Sequence, residues 1–398
     1  MCPPDVALIS PYPPPGARHT GNGGVPAYAA NLAHALRAEG ADVTVIAPFE
    51  EDAPVVHEDD RIVVRRSFPR SALALPRAAG SAIETGAPIV HLQHEMFLYG
   101  GSRSILGLPV GLRMLRAAGV GPVVTMHQVV DTASVDSSFT RLHRVRVPAI
   151  LARAGLASVQ GSIRRLTQTT IVHERSFVDA VPRAEVVPHG VEMVTPPDRG
   201  EAHVLLGLDE RATVLCFGYV APYKGLEAAL AAAELVADEV NLVVAGGEHP
   251  RLAGRDDYAR ALRRRFGDVA RFTGYVSEAD VGRWFAASDL ALLPYPRPFS
   301  SSGALALAVA YGTPLLVSNE LAEAAGLPRS LSTSIEPCAL AEKLLALARG
   351  GSQLELLRSQ SKSLAQGRSW PVIARRHLEL YKEVTDAARA SGRRVRAA

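Results

Sequence analysis

VALIS (residues 6–10), the loop closing on GNGG (21–24), the run VPAYAANLAHALRAE (25–39) and DVTVIA (42–47) together decide the fold. The first is a short apolar run of strand length. In the third, Tyr28, Leu32 and Leu36 recur every fourth residue and Gly40 follows as a stop signal, which predicts a helix with one buried face. Strand, glycine-rich loop, helix and strand in that order make a βαβ entry, whose two strands lie parallel in one sheet. In open parallel sheets, ligands sit outside the carboxyl ends of the strands, where loops feed helix N-termini whose free N–H groups favour anions. Each candidate loop below follows a strand.

Further strands are predicted at 89–92, 123–126, 169–172 and 185–187. A second, more regular series begins near residue 212, with strands at 213–217, 241–245, 271–273, 290–293 and 314–317 and helical segments between them. A chain of 398 residues suits two α/β domains. The expected class is therefore α/β, with two Rossmann-like doubly wound parallel sheets. Thr195, Pro196, Pro197, Asp198, Arg199 and Gly200 have the composition of a linker. This sets a first domain at 1–195 and a second at 196–374. The last segment, from Trp370 to about Ala390, is a long helical pattern carrying Ile373, His377, Leu380 and Val384.

With 47% hydrophobic and 21% charged residues, the composition is that of a folded globular protein. Cys2, Cys216 and Cys338 are far apart and lack metal-like spacing, so neither a disulfide framework nor a zinc site is expected, and a reducing, cytoplasmic setting fits. The N-terminus lacks the features of a signal peptide, and no run reaches the roughly 18 apolar residues of a membrane span. A net charge of +3 is small for this length and gives no argument for nucleic acid. Residues 141–165 mix arginines with Val145, Val147, Ile150, Leu151 and Leu156, interrupted by Pro148. A helix buried on one side explains that stretch as well as an anionic lipid surface does, and lipid contact is not favoured.

Gly23 and Gly24 open the first helix and let backbone approach a phosphate or sugar. The spacing is not GxGxxG and no acidic residue follows the second strand at the usual place, which counts against a dinucleotide. His127 stands just after the strand 123–126, either as a site residue or as a satisfied structural histidine. Gly218 follows the strand 213–217, and Lys224 stands at the start of the next helix, where a cation opposes the helix dipole; an anion held there would explain it. Ser301, Ser302 and Gly303 lead into a helix, as a binding loop or a plain serine N-cap. Gly247 and the segment Gly274, Tyr275, Val276 follow two further strands, where glycine permits close approach of a base or ribose, or simply a tight turn.

In order, these loops resemble the retaining GT-B glycosyltransferases of the family-4 group, over nearly the whole chain. The resemblance rests on the N-terminal glycine loop, Thr125-Met126-His127, Val187-Pro188-His189-Gly190-Val191, and Gly218 with Lys224-Gly225. It continues through Phe272 to Val276, Ala287-Ser288-Asp289, Gly312-Thr313-Pro314 and Ser369-Trp370. It implies two domains facing across a cleft, Lys224 on the donor diphosphate, backbone around 274–276 on the base, His127 near the reacting sugar, and residues 375–398 completing the first domain. Two departures concern the donor site. Tyr219 stands where the family commonly has Arg, and Phe299 and Leu307 stand where it commonly has two glutamates. A subset with Gly-Tyr-x-x-x-Tyr-Lys-Gly and Ser-Gly matches through Tyr219, Tyr223, Lys224, Ser302 and Gly303, with Arg297 a stand-in for the missing arginine.

The activity so implied is transfer of a sugar from a nucleoside-diphosphate sugar to a carbohydrate, lipid-linked or small-molecule acceptor. Retention of configuration is implied, with no cofactor beyond the donor. No Asp-x-Asp motif is present, so no metal is expected. The rivals are a nucleotide-sugar-binding protein with little catalysis, a sugar-nucleotide epimerase and an NAD-dependent oxidoreductase.

Overall fold

The computed structural model describes residues 3–16, 24–51, 53–137, 140, 147–248, 257–296 and 302–390. The chain divides into two compact units, Met1–Gly190 with Trp370–Ala398, and Val191–Ser369.

The first unit holds an eight-stranded sheet in the order β3-β4-β2-β1-β5-β6-β7-β8. Its strands are β1 (Val6–Ile9), β2 (Val43–Pro48), β3 (Val56–Asp59), β4 (Ile62–Phe68), β5 (Ile89–His94), β6 (Gly121–Met126), β7 (Thr169–Val172) and β8 (Glu185–Val186). All neighbours pair parallel except β3 and β4. The helix Gly24–Ala38 buries Tyr28, Leu32 and Leu36 on one face of the sheet, beside Ile373, Leu380 and Val384 of the closing helix Trp370–Ala390. The helices Ala74–Glu84 and Leu108–Ala117 cover the other face, together with Val159 and Ile163 of Ala149–Leu166. That last helix is thus buried along one side, and among the described residues no helix is long and apolar enough to cross a membrane.

The β3–β4 pair is absent from the sequence-based reading. β3 is a charged edge strand with no fully buried residue, and β4 alternates buried and half-buried positions through Arg65 and Arg66. Edge strands need no apolar run, because one side meets water.

The second unit is a six-stranded, all-parallel sheet in the order β11-β10-β9-β12-β13-β14. Its strands are β9 (Ala212–Phe217), β10 (Val240–Ala245), β11 (Ala270–Gly274), β12 (Leu290–Leu293), β13 (Leu315–Ser318) and β14 (Ser332–Thr333). The order runs outward from β9 in both directions, so the crevice beside its carboxyl end, between β9 and β12, is the topological switch point where such sheets hold ligands.

The unit boundaries fall at 190/191 and 369/370, against 195/196 from composition and 374/375 from the family resemblance. Gly190 has no room for a side chain because the Trp370 indole lies on it, which ties the start of the closing helix to the end of the first unit. Val191 bonds back to Arg368 and bridges Ser369 within the second unit. The linker reading of 195–200 is corrected. Asp198 accepts from the Glu201 N–H and caps a helix Arg199–Leu205, so its last two residues are a helical first turn.

Candidate active site

In the second unit, three strand-end glycines with positive φ stand side by side: Gly218 (101°), Gly246 (155°) and Gly274 (73°), after β9, β10 and at the end of β11. Gly218 N–H donates to Ala245 O at 2.8 Å, Val220 N–H donates to Gly247 O at 2.9 Å, and Gly246 bridges Gly274. A side chain on Gly246 would strike the Gly218 carbonyl, and Gly247 packs against the Tyr275 backbone. Three consecutive loops therefore form one glycine-floored shelf. Tyr219 and Tyr275, which follow Gly218 and Gly274, are 43% and 78% exposed.

Lys224 ends a 3-10 turn, Pro222–Lys224, and Gly225 separates it from the helix Leu226–Glu234. Its side chain folds back instead of extending along the helix. Nζ donates to Phe217 O at 3.3 Å and lies 5.8 Å from the Tyr295 ring centroid, and the residue is 7% exposed. A Cβ on Gly218 would come within 2.5 Å of Nζ, so that glycine makes room for the ammonium. Burial pushes Lys224 down to about 8, with the Cys216 thiol pulling the other way. Among the described residues the buried ammonium meets one carbonyl and the face of Tyr295 and no carboxylate, so it is short of compensating charge.

Tyr295 follows β12 and reaches the same place from the other side of the switch point. Its hydroxyl is 3.2 Å from Ser302 Oγ, its carbonyl accepts from Ser318 Oγ at 2.6 Å, and its ring meets Tyr223 edge-on at 6.2 Å. Ser302 is the N-cap of Gly303–Ala310, with Oγ accepting from Leu305 N–H at 3.2 Å. What this loop offers a ligand is therefore the N–H groups of Gly303 and Ala304, because Ser302 already accepts from Leu305 and Ala306. Gly218, Tyr219, Lys224, Gly247, Gly274, Tyr275, Val276, Ser302 and Gly303 all fall at the carboxyl ends of β9 to β12 or at the helix start beyond them. Arg297 and Ser301 lie outside the described residues, as does Gly23 in the first unit.

In the first unit His127 follows β6, two strands from β1, whose loop leads to Gly24. His127 Nε2 lies 2.7 Å from the Gln93 amide and Nδ1 3.2 Å from His173 Nε2. The Tyr28 ring packs on His127, His173, His189 and Trp370 at centroid distances of 4.7 to 5.1 Å. Burial, then the imidazoles of His173, His189, His91 and His94, hold His127 well below the usual histidine range, so its ring is neutral. Gln93, His173 and Tyr295 escaped the sequence reading, which took Tyr28 only as part of the buried face of the first helix. A signal for Gln93 existed: in β5 the period of two puts His91 and Gln93 on one face of a wholly buried strand, where polar residues are unexpected.

Residues 199–326 match the family model described as glycosyl transferases group 1. The second unit carries a glycosyltransferase domain. With the relatives that share the name, this sets the class of the enzyme as a glycosyltransferase. The glycosyltransferase is similar to D-inositol 3-phosphate glycosyltransferase 1 of Catenulispora acidiphila, at 28% identity over 418 aligned positions covering 96% of this chain and 95% of that protein. Among solved structures, sucrose-phosphate synthase from Thermosynechococcus elongatus matches with a TM-score of 0.67 at 21% identity, covering 96% of this chain and 99% of that one. HepE of Anabaena in complex with UDP matches with 0.66 at 16%, covering 95% and 99%. The fold of the glycosyltransferase is GT-B.

Proposed function

We propose that this glycosyltransferase moves a sugar from a nucleoside-diphosphate sugar to an acceptor hydroxyl, with retention of anomeric configuration and without a metal ion. The donor is held by the second unit and the acceptor by the first. The observation that carries the reading is Lys224: a buried ammonium that meets no carboxylate among the described residues, at the switch point of a parallel sheet beside a glycine-floored shelf.

Breaking the anomeric C–O bond builds negative charge on the leaving diphosphate. A preorganised cation and first-turn N–H groups stabilise that charge without reorganising. Lys224 and the amides from Gly303 supply both. The shelf from Gly218 to Val276 receives the base and ribose, where glycine lets planar groups lie against backbone. His127 belongs to the acceptor side. Because HepE is seen with UDP, uridine diphosphate is the first nucleotide to try. The acceptor class follows the relatives, whose names point to a sugar or inositol phosphate.

The test is calorimetric titration of the folded protein with UDP, GDP, ADP and TDP in chelator, repeated with Lys224→Ala. One nucleotide should bind and be lost in the variant. Nucleotide binding by no member of the set would sink the donor assignment. The anomeric configuration of the product, read by NMR, tests retention.

A second reading is a donor-binding protein with little transfer. Leu307 favours it, because the helix Gly303–Ala310 is apolar throughout and offers no carboxylate for sugar hydroxyls. Tight donor binding with no product across a panel of sugar and inositol-phosphate acceptors would select it.

A further inference from the structure

In the first unit a row of side chains is joined end to end. His173 Nδ1 lies 2.9 Å from the Val187 carbonyl oxygen, and His173 Nε2 lies 3.2 Å from His127 Nδ1. His127 Nε2 is 2.7 Å from one end of the Gln93 amide, placed as Oε1, and the other end is 3.1 Å from His91 Nε2. That same His91 nitrogen is 2.7 Å from Thr125 Oγ1, while His91 Nδ1 is 2.7 Å from the Tyr381 hydroxyl of the closing helix. His91, Gln93, Thr125, His173 and Tyr381 are all buried.

The carbonyl at one end decides the protons of the whole row. It can only accept, so His173 carries its proton on Nδ1 and, as a neutral ring, presents a lone pair at Nε2. His127 must then donate from Nδ1. A neutral His127 has a lone pair at Nε2, which cannot face an amide oxygen at 2.7 Å. The conflict disappears when the Gln93 amide exchanges its oxygen and nitrogen ends, which are alike in shape. Its NH2 then donates to His127 Nε2. Its oxygen accepts from His91 Nε2–H, which is shared with Thr125 Oγ1, and His91 Nδ1 accepts from the Tyr381 hydroxyl. Each contact of the row then pairs a donor with an acceptor. The other solution adds a second proton to a buried imidazole among other imidazoles, which burial opposes.

We infer that Gln93 and Tyr381 are positioning residues that hold His127 as the neutral Nδ1–H tautomer, its Nε2 lone pair committed to the Gln93 amide. With Nδ1–H given to His173 and Nε2 taken up by Gln93, His127 is barred from taking the acceptor's proton. The inference deepens the transferase reading and, for its functional half, rests on it.

The test uses the full-length protein labelled with 15N at histidine, with His127 assigned by the signals lost in His127→Asn. Long-range 1H–15N spectra of the substrate-free protein should show His127 Nδ1 protonated and Nε2 unprotonated. In Gln93→Glu the carboxylate can only accept, so His127 should gain a proton on Nε2, and kcat should fall while diphosphate affinity is unchanged. In Tyr381→Phe the hydroxyl that fixes the His91 proton on Nε2 is gone, so His91 and Gln93 are no longer held in one orientation and the His127 nitrogen signals move. A protonated Nε2 in the parent protein overturns the inference, and so do His127 signals unmoved in both folded variants. If a variant does not fold, the parent spectrum decides alone. The spectra need no turnover, so they stand or fall separately from the transferase reading.

Discussion

Gly225 sits directly under the carbonyl of Pro294, so that a Cβ on the glycine would collide with the backbone that follows β12. This contact joins the Lys224 turn to the Tyr295 loop across the switch point, and Gly225 holds a φ of 63°. Gly225→Ala meets a left-handed backbone cost and an overpacking cost together, a loss of about 2–5 kcal/mol. Denaturant unfolding should show the loss. In whatever protein remains folded, nucleotide affinity should fall as well, because the two loops separate. Wild-type stability in the variant would contradict this reading of the contact.

Lys224→Met should raise the stability of the free protein at pH 7 while abolishing diphosphate binding. The folded-state pKa of about 8 lies below the usual 10.5. Below pH 8 both states are charged and the buried cation costs the folded protein about 3 kcal/mol. Between pH 8 and 10.5 the unfolded chain keeps the proton that the folded one has lost, so parent stability rises with pH. The advantage of Lys224→Met should shrink through that window and vanish above it. A pH-independent difference in unfolding free energy between the two proteins would refute the assignment.

The same ammonium should make nucleotide binding pH-dependent in the opposite sense. A diphosphate favours the charged lysine, so binding below pH 8 takes up no proton there, while above it each pH unit should weaken binding about tenfold until the pKa of the bound state is passed. Titration from pH 7 to 10 checks this. Flat affinity over that range would place the diphosphate elsewhere.

The first unit should be labile to acid. Burial holds His94 and His377 down at about 4, and His91 and His127 well below the usual range. These pKa values are depressed below that of the unfolded chain, so the unfolded state binds more protons and stability falls as pH drops from 6.5 towards 4. By pH 5, His94 and His377 each withdraw about 2 kcal/mol. The second unit carries no such cluster among its described residues. Hydrogen exchange at pH 5 should therefore show the strands β5 to β7 opening before β9 to β12. Equal protection of both sheets at pH 5 would contradict it.

The sequence by itself determined the two parallel sheets and the helices between them. Apolar strands buried on both faces leave continuous runs such as 290–293, and a helix with one buried face leaves a period such as Tyr28, Leu32 and Leu36. Glycine at the carboxyl ends of strands marked the candidate loops for the same local reason. The β3–β4 edge was invisible because an edge strand half in water needs no apolar run. Only the tertiary structure decided where Lys224 points: the sequence put it at a helix start, but Gly225 turns the chain and Nζ folds back to Phe217. Only the tertiary structure brought His173, His127, Gln93, His91 and Tyr381 into one row, since hydrogen bonds between residues up to 290 apart in the chain leave no periodicity to read. Local pattern records what each segment buries, whereas the partner of a buried polar group is chosen by strands and helices that meet only after folding.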